Sequence, residues 1–195
     1  MFDLIREDYE THYRKWGSQG FWAMLVYRFG RWRYGIRPAF LRKPFSFVYR
    51  FFKTVSQVLT GIDIPCEATV GRRFRIDHFG GIIISGDAVF GDDCLVRNGV
   101  TVGLQRSDDP GSPVIGHRVE IGAGAKVLGK IRIGNDVLIG ANAVVISDVP
   151  SNCIAVGIPA RVLPRKDRQT AKAPGVSFRA EDITELFRSQ PELVA

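Results

Sequence analysis

Residues 119–148 read VEIGAG, AKVLGK, IRIGND, VLIGAN and AVVISD, five hexads that decide the fold of this chain. The third position of each hexad is aliphatic, at Ile121, Val127, Ile133, Ile139 and Val145. An α-helix repeats every 3.6 residues and a simple strand every two, so neither explains a constant spacing of six. The spacing is typical of a three-sided coil, in which each hexad forms one side and three hexads close one turn. The pattern therefore predicts a mainly β protein built as a parallel β-helix.

The repeat continues upstream of these hexads. A spacing of six joins Ile64, Val70, Ile76 and Ile82. After a predicted slip of one residue it resumes at Ile83, Val89, Leu95 and Thr101. Residues 104–113, LQRSDDPGSP, are polar and rich in turn formers, which predicts a projecting loop. We expect about five coils between residues 61 and 163. A β-sandwich is the alternative, but its strands do not hold a fixed spacing of six.

Both ends of the chain differ from the repeat. Within residues 1–60, apolar residues recur at helical spacing, as at Phe21, Leu25, Phe29 and Trp32, and at Val48, Phe51, Val55 and Leu59. We interpret this region as an α-helical cap over the first coil, whose edge would otherwise be open. Residues 164–195 are polar, and we expect a flexible tail with a short helix near 181–188.

Charge is spread unevenly over the 195 residues, whose net charge is +7. Residues 14–53 contain ten Lys and Arg, no Asp or Glu, and many aromatic residues. This segment could contact anionic lipid at the inner face of a membrane as a peripheral element. Nucleic acid is not expected as a partner, because no base-reading motif accompanies the charge.

The expected location is the cytoplasm. No apolar run approaches the roughly 20 residues that span a bilayer, and the start, MFDLIREDYE, does not resemble a signal peptide. Cys66, Cys94 and Cys153 lie far apart, which argues against both a disulfide framework and a metal site. Reduced thiols in the cytoplasm fit this pattern.

Several stretches together resemble the serine O-acetyltransferases of the hexapeptide-repeat superfamily. They are REDY at 6–9, QGFWAMLVYRFGRW at 19–32, GIDIPCEATVGRRFRIDHFGGIIISGDAVFGDD at 61–93, IGAGAKVLGKIRIGNDVLIGANAVV at 121–145 and AVGIPARV at 155–162. The likeness covers about residues 4–165. It implies a left-handed coil, a homotrimer (possible as a dimer of trimers), acetyl-CoA as co-substrate in the groove between subunits, and no metal.

The resemblance also implies a catalytic base. Transfer of an acetyl group to a hydroxyl requires a group that takes the hydroxyl proton, and histidine titrates in the right range. His78 in RIDHFGG matches the family's Asp-His-x-x-Gly motif, whereas His12 and His117 do not. Asp63 in GIDIP matches the aspartate that orients this histidine. The structural alternatives are a histidine that is hydrogen-bonded at a coil corner and an aspartate in an exposed turn.

Two further carboxylates match family positions that hold the amino group of serine, Asp77 and Asp8. A carboxylate is the natural partner of an ammonium group. For Asp8, the alternative is an acidic residue at the start of a helix.

One departure from the family pattern concerns the acceptor's carboxylate. The family has Arg-His before a proline in the projecting loop, but this chain has Gly111 and Ser112 before Pro113. We consider Arg106, or else Arg97, as a substitute. A site without a carboxylate-binding group would instead suit a sugar hydroxyl.

Donor binding is predicted along one wall of the coil. Ala123 and Ala141 are three hexads apart and both follow an Ile-Gly pair, so they should stack one coil above the other and leave room for pantetheine. Simple turn packing is the alternative. Arg161 in GIPARV matches a basic residue near the nucleotide phosphates, and Lys166 could add charge there.

Three functions follow from these residues. The first is an acetyl-CoA-dependent O-acetyltransferase that converts L-serine to O-acetylserine in cysteine biosynthesis. The second is an O-acetyltransferase that acts on a sugar hydroxyl in polysaccharide assembly. The third, from a different class, is a non-catalytic β-helix scaffold.

Overall fold

The computed structural model describes residues 1–165. The predicted flexible tail, apart from its first two residues, and the predicted helix near 181–188 lie outside this range.

Three helices precede the repeat. They are α1 (Phe2–Thr11), α2 (Gln19–Arg33) and α3 (Arg42–Thr60), with a 3-10 turn at Ala39–Leu41 before α3. The α2 helix begins at Ser18, whose Oγ accepts a hydrogen bond from the backbone N–H of Phe21 at 3.4 Å. The α3 helix ends at Gly61, which adopts the left-handed conformation that closes many helices. No helix within residues 1–165 is long and apolar enough to cross a membrane.

Fifteen short strands follow. In chain order they are β1 (Ile62–Asp63), β2 (Thr69–Val70), β3 (Arg75–Asp77), β4 (Ile82–Ile84), β5 (Val89–Phe90), β6 (Leu95–Arg97), β7 (Thr101–Gly103), β8 (Val114–Ile115), β9 (Glu120–Ile121), β10 (Lys126–Leu128), β11 (Arg132–Ile133), β12 (Leu138–Ile139), β13 (Val144–Val145), β14 (Cys153–Val156) and β15 (Arg161–Pro164).

The strands form three sheets that the chain visits in turn. Sheet 1 has the order β1-β4-β7-β10-β13, sheet 2 the order β2-β5-β8-β11, and sheet 3 the order β3-β6-β9-β12-β14-β15. All neighbours pair in parallel except β14 and β15. Five coils therefore stack into a three-sided prism, and the predicted parallel β-helix with a helical region before it is confirmed.

Later coils have the predicted length, since Glu120 pairs with Leu138, three hexads further along the chain. The coil that carries the projecting loop is longer, because Thr101 pairs with Lys126, more than four hexads on. The first coil was not predicted correctly. Ile62 pairs with Ile82, so this coil exceeds three hexads by two residues, and the register shifts by two residues rather than one.

The shift lies between Ile76 and Ile84, both of which are buried, whereas Ile83 is exposed. The residues that point into the prism are Ile64, Val70, Ile76, Ile84, Phe90, Val96, Val102, Ile115, Ile121, Val127, Ile133, Ile139 and Val145. The turn between β3 and β4 contains two extra residues, and the positive φ values of His78 and Gly81 accommodate them. The residue proposed as the catalytic base thus lies in the irregular turn of the first coil.

Side chains of the helices cover the open edge of that coil. The Tyr27 hydroxyl donates to the carbonyl of Ala68 and accepts from the N–H of Val70. Arg28 donates to the carbonyls of Val70 and Gly71. Because an open sheet edge leaves backbone groups without partners, these bonds replace the missing neighbouring coil. The helical region is therefore a cap, as predicted.

The predicted apolar side of α3 is largely exposed and does not pack on the coil. The predicted stripe along this helix includes Phe51 and Leu59, which are 58% and 72% exposed. The buried positions of α3 are Tyr49 and Thr60. Packing of α3 on the coil therefore uses a different side from the one that the periodicity suggests, and a broad aromatic face remains uncovered in the single chain.

Candidate active site

Short turns stack at the corner where the chain passes from sheet 3 to sheet 1. We call this set the corner column; its residues are 78–81, 98–99, 123–124 and 141–142. Backbone bonds join successive levels: Gly99 donates to Gly80, Gly124 to Asn98 and Asn142 to Ala123, each at 2.8 Å. Glycines allow the close stacking, since a Cβ placed on Gly99 would lie 3.3 Å from the Cα of Gly124.

His78 stands at the first level of the corner column. Its φ is 65°, an uncommon value for a residue other than glycine, and its side chain is exposed. Within residues 1–165 its imidazole has no hydrogen-bond partner, so both ring nitrogens are available to an outside molecule. The structure thus does not support the alternative of a histidine hydrogen-bonded at a coil corner.

A cleft of about 300 Å³ opens beside His78. It lies between the end of β3 and the connection from α1 to α2, and its lining residues are His12, Tyr13, Lys15, Ser18, Ile76, Asp77 and His78. The cap therefore contributes one wall of the cleft and the first coil contributes the other.

His12, at the base of this cleft, is a structural residue. Its Nδ1–H donates to the carbonyl of Asp8 at 2.7 Å, and its Nε2 accepts the N–H of Ile76 at 3.2 Å. Burial lowers the pKa of this imidazole, which fits the neutral ring that these two bonds require. Neither nitrogen of His12 is free to act as a base.

Asp77 reaches the cleft from the end of β3. Its Oδ1 lies 3.2 Å from the Nε of Arg75, two residues earlier on the same strand. Its other carboxylate oxygen has no hydrogen-bond partner within residues 1–165, so Asp77 keeps the capacity to bind a cation.

Asp63 is placed differently from the prediction. Its strand runs beside the His78 turn, because a Cβ on Gly61 would lie 3.1 Å from the Cα of Gly80. Its carboxylate, however, makes an ion pair with Lys53 of α3 at 3.4 Å and no hydrogen bond to His78. The predicted Asp63–His78 hydrogen bond is therefore absent in the single chain, in which the aspartate lies next to a lysine of the cap instead.

Asp8 does not belong to the cleft. Its side chain is only 1% exposed, and its two carboxylate oxygens accept hydrogen bonds from Arg28 at 2.8 and 3.2 Å. An ammonium group of a substrate cannot reach it. The prediction of substrate binding at Asp8 is corrected to a buried ion pair that joins α1 to α2.

Arg106 is also away from His78. It lies in the loop between sheets 1 and 2, a different corner of the prism from the one that holds His78. Its guanidinium forms two bonds with Asp108 at 2.9 and 2.7 Å, and the side chain is 70% exposed. Within one chain, Arg106 therefore cannot bind an acceptor placed at His78.

The predicted donor residues share the corner column with His78. Ala123 and Ala141 stack in successive coils, as their spacing implied, and Ala141 is exposed. Because neighbouring strands are about 4.8 Å apart, the two alanines lie about 10 and 14 Å along the column from the His78 turn. Arg161 is exposed and begins β15, directly after the turn that follows β14 at the end of this column. Lys166 lies outside the described residues.

Three lining residues were missed by the sequence analysis, namely Tyr13, Lys15 and Ser18. The helical pattern of residues 1–60 does not reveal the break between α1 and α2. Gly17 and the N-capping Ser18 are the local signal that marks it. No group of three His, Cys, Asp or Glu side chains in the described part of the chain is arranged to hold a metal ion.

Comparison with known proteins gives consistent matches. Residues 112–147 match the family described as bacterial transferase hexapeptide (six repeats). The serine acetyltransferase of Synechococcus elongatus is 41% identical over 147 residues, 75% of this chain and 57% of that protein. That of Helicobacter pylori strain J99 is also 41% identical, over 150 residues that make up 76% of this chain and 83% of that protein. The chain thus spans somewhat more than half of the first relative and most of the second.

A further relative differs in its name. WcaB of Escherichia coli K12, named as an acetyltransferase of colanic acid biosynthesis, is 41% identical over 111 residues. The match covers 57% of this chain and 68% of that protein.

Solved structures agree with these sequence matches. The serine acetyltransferase of Brucella abortus strain S19 in complex with coenzyme A has a TM-score of 0.72 at 28% identity, covering 85% of this chain and 68% of that one. That of Neisseria gonorrhoeae in complex with serine has a TM-score of 0.68 at 29% identity, covering 83% and 68%. The coil is left-handed, as predicted. The chain belongs to the serine acetyltransferase family of hexapeptide-repeat transferases.

Proposed function

We propose that this protein transfers the acetyl group of acetyl-CoA to the hydroxyl of L-serine, with His78 as the general base. The observation that carries the proposal is the corner column, which aligns an unpartnered imidazole with two small residues in one row. The family relatives named as serine acetyltransferases, and their structures with coenzyme A and with serine, support this assignment.

For the acetyl transfer, the protein has to position the two substrates and to transfer one proton. Acetyl-CoA supplies an acyl group that is already activated as a thioester. His78 takes the proton of the acceptor hydroxyl while the oxygen bonds to the acyl carbon. When the carbon–sulfur bond breaks, the imidazolium returns this proton to the sulfur, so free CoA leaves and His78 is neutral again.

Small residues suit the donor side of this reaction. Pantetheine must lie along the wall of the prism, and the methyl groups of Ala123 and Ala141 leave that path open. Arg161 at the end of the column provides positive charge for the nucleotide phosphates. On the acceptor side, Asp77 lines the cleft, and its carboxylate would accept hydrogen bonds from the ammonium group of serine.

A sugar hydroxyl is the second candidate acceptor. The observations that favour it are the match to WcaB and the place of Arg106, which lies at another corner of the prism and is paired with Asp108. Both acceptors would use the same donor site and the same base.

We further propose that the chain works as a homotrimer. A single prism offers the corner column only as an exposed edge, and a neighbouring subunit would supply the second wall that a bound cofactor needs. Exposed aliphatic residues on the outer sides of the coils, such as Ile83, Val114 and Ile146, would lie in such contacts.

In the cell we propose a cytoplasmic enzyme whose α3 helix rests on the inner face of the membrane. Phe47 and Phe51 are 76% and 58% exposed, and Lys43 and Arg50 flank them. This combination favours anionic lipid.

The protein should sediment with phosphatidylglycerol vesicles and not with phosphatidylcholine vesicles. A Phe47→Glu/Phe51→Glu variant should lose this binding, whereas the control Phe2→Glu, at an exposed phenylalanine of α1, should keep it. Equal vesicle binding by the wild type and both variants would refute the contact.

The acceptor is tested by measuring CoA release from acetyl-CoA with L-serine and with a panel of neutral sugars. We expect turnover with L-serine at a Michaelis constant of roughly 1 mM or below. Turnover with a sugar alone would reject L-serine in favour of the second candidate. If no acceptor released CoA and calorimetry detected no binding of acetyl-CoA, the scaffold hypothesis would replace both.

A further inference from the structure

The cleft beside His78 contains a positively charged side chain, Lys15, which lies outside the stretches that resemble the family. Lys15 lies in the connection between α1 and α2 and is exposed. Its ammonium forms no hydrogen bond or ion pair within residues 1–165, and it lies 6.0 Å from the centroid of the Tyr13 ring. Lys15 is therefore free to pair with a bound molecule in a cleft that also contains a carboxylate and a free imidazole.

The charges around the cleft leave one positive group uncompensated. Asp77 pairs with Arg75 through one carboxylate oxygen at 3.2 Å, and His12 is held neutral by its two hydrogen bonds. Lys15 is the only Lys or Arg among the described lining residues. The cleft therefore favours an acceptor that brings a negative charge.

We propose that Lys15 binds the carboxylate of the acceptor, in place of the arginine that the projecting loop lacks. The inference rests on the proposed function and names the residue that gives it specificity. L-serine then matches the cleft group by group, with its carboxylate on Lys15, its ammonium on Asp77 and its hydroxyl at His78.

If Lys15 binds the carboxylate of the acceptor, the projecting loop does not need the arginine that the family pattern has there. The loop residues Gly111 and Ser112 leave from another corner of the prism, and the Oγ of Ser112 bonds to that of Ser85 at 2.9 Å. The carboxylate-binding charge would thus be supplied by the cap, whose residue Lys15 lines the same cleft as His78.

The test compares L-serine with L-serinamide, which keeps the hydroxyl and the amine but lacks the carboxylate. Lys15→Met should raise the KM for L-serine by roughly tenfold or more, the effect of one charge-assisted hydrogen bond, with little change in kcat. The KM for L-serinamide should not change. Lys15→Arg should restore most of the affinity, and Arg14→Met, which removes the adjacent cation outside the cleft, should behave as the wild type.

Each outcome separates this proposal from the choice of acceptor. If the wild type acetylates L-serine and Lys15→Met leaves its KM unchanged, or raises the KM of both substrates equally, Lys15 is not the carboxylate partner and the proposed function stands. If the wild type does not acetylate L-serine, the same variants are compared on D-glucuronate and D-glucose. A selective loss with glucuronate would support the role of Lys15 on a carboxylated sugar, whereas acetylation of neutral sugars alone would overturn it.

Discussion

Among the individual residues of the site, His12 shows how burial fixes a histidine in one protonation state. Its Nε2 accepts a hydrogen bond from Ile76, which a protonated ring could not do. The environment, in which burial outweighs the nearby Asp8 and Asp77, lowers its pKa. Protonation of His12 would therefore cost the contact between α1 and β3, the two sides of the cleft.

This makes stability depend on pH in a definite direction. Above about pH 6.5, the ordinary pKa of an unfolded histidine, the ring is neutral in both states and its contribution is complete. As pH falls through 6.5 towards the lowered pKa, the unfolded chain takes up the proton first, so stability is lost. His12→Gln keeps an acceptor for Ile76 but cannot titrate.

Urea unfolding of the wild type and of His12→Gln at pH 7.5 and 5.5 measures this effect. The difference in unfolding free energy between the two proteins should shrink, or reverse, at the lower pH. A difference that stays constant between the two pH values would show that His12 does not titrate as described.

The sequence predicted some residues of the site and missed others for clear reasons. Ala123 and Ala141 could be placed because a period of three hexads fixes which side chains stack. Asp8 and Asp63 could not, since their partners, Arg28 and Lys53, come from other elements and leave no local pattern. Lys15 was missed because it sits in a short break between helices.

Among the single elements, α2 supplies hydrogen-bond partners that a further coil before the first one would otherwise provide. Tyr27 replaces two backbone partners at once, since its hydroxyl bonds to Ala68 at 2.9 Å and to Val70 at 3.0 Å. Tyr27→Phe would leave a buried N–H and a buried carbonyl without partners.

We therefore expect Tyr27→Phe to lower the free energy of unfolding by about 1–3 kcal/mol. Thermal or urea unfolding measures the change. Tyr9→Phe is the matched control, because the Tyr9 hydroxyl makes no hydrogen bond within residues 1–165, and its effect should stay within about 0.5 kcal/mol. Equal losses in both variants would argue against a capping role for the Tyr27 hydroxyl.

The corner column makes a separate prediction about the donor. Ala141→Phe places a ring on the path assigned to pantetheine, so the KM for acetyl-CoA should rise by roughly tenfold or more, about 1.4 kcal/mol of lost binding. The KM for the acceptor should change little. Ser147→Phe, at an exposed position of the same coil between sheets 1 and 2, should have no such effect. A normal KM for acetyl-CoA in Ala141→Phe would move the donor to another wall.

For the whole molecule, a simple period accounts for the scaffold, and its interruptions account for the site. The hexads of residues 119–148 predicted the prism, because each coil must bury the apolar surface of the last. They could not predict the length of the first coil, since its two extra residues lie in a turn whose backbone conformation, at His78 and the glycines after it, no hexad encodes. The cleft forms where this irregular coil meets the cap, so the site depends on tertiary contacts that a repeat does not encode.

The most direct test of the account is the rate of CoA release from acetyl-CoA and L-serine by His78→Asn, with His117→Asn as the control at an exposed histidine outside the corner column. We predict that His78→Asn loses at least about a hundredfold in kcat, since it removes the base, while His117→Asn keeps the wild-type rate. Full activity in a folded His78→Asn protein would contradict the central claim that this imidazole takes the proton.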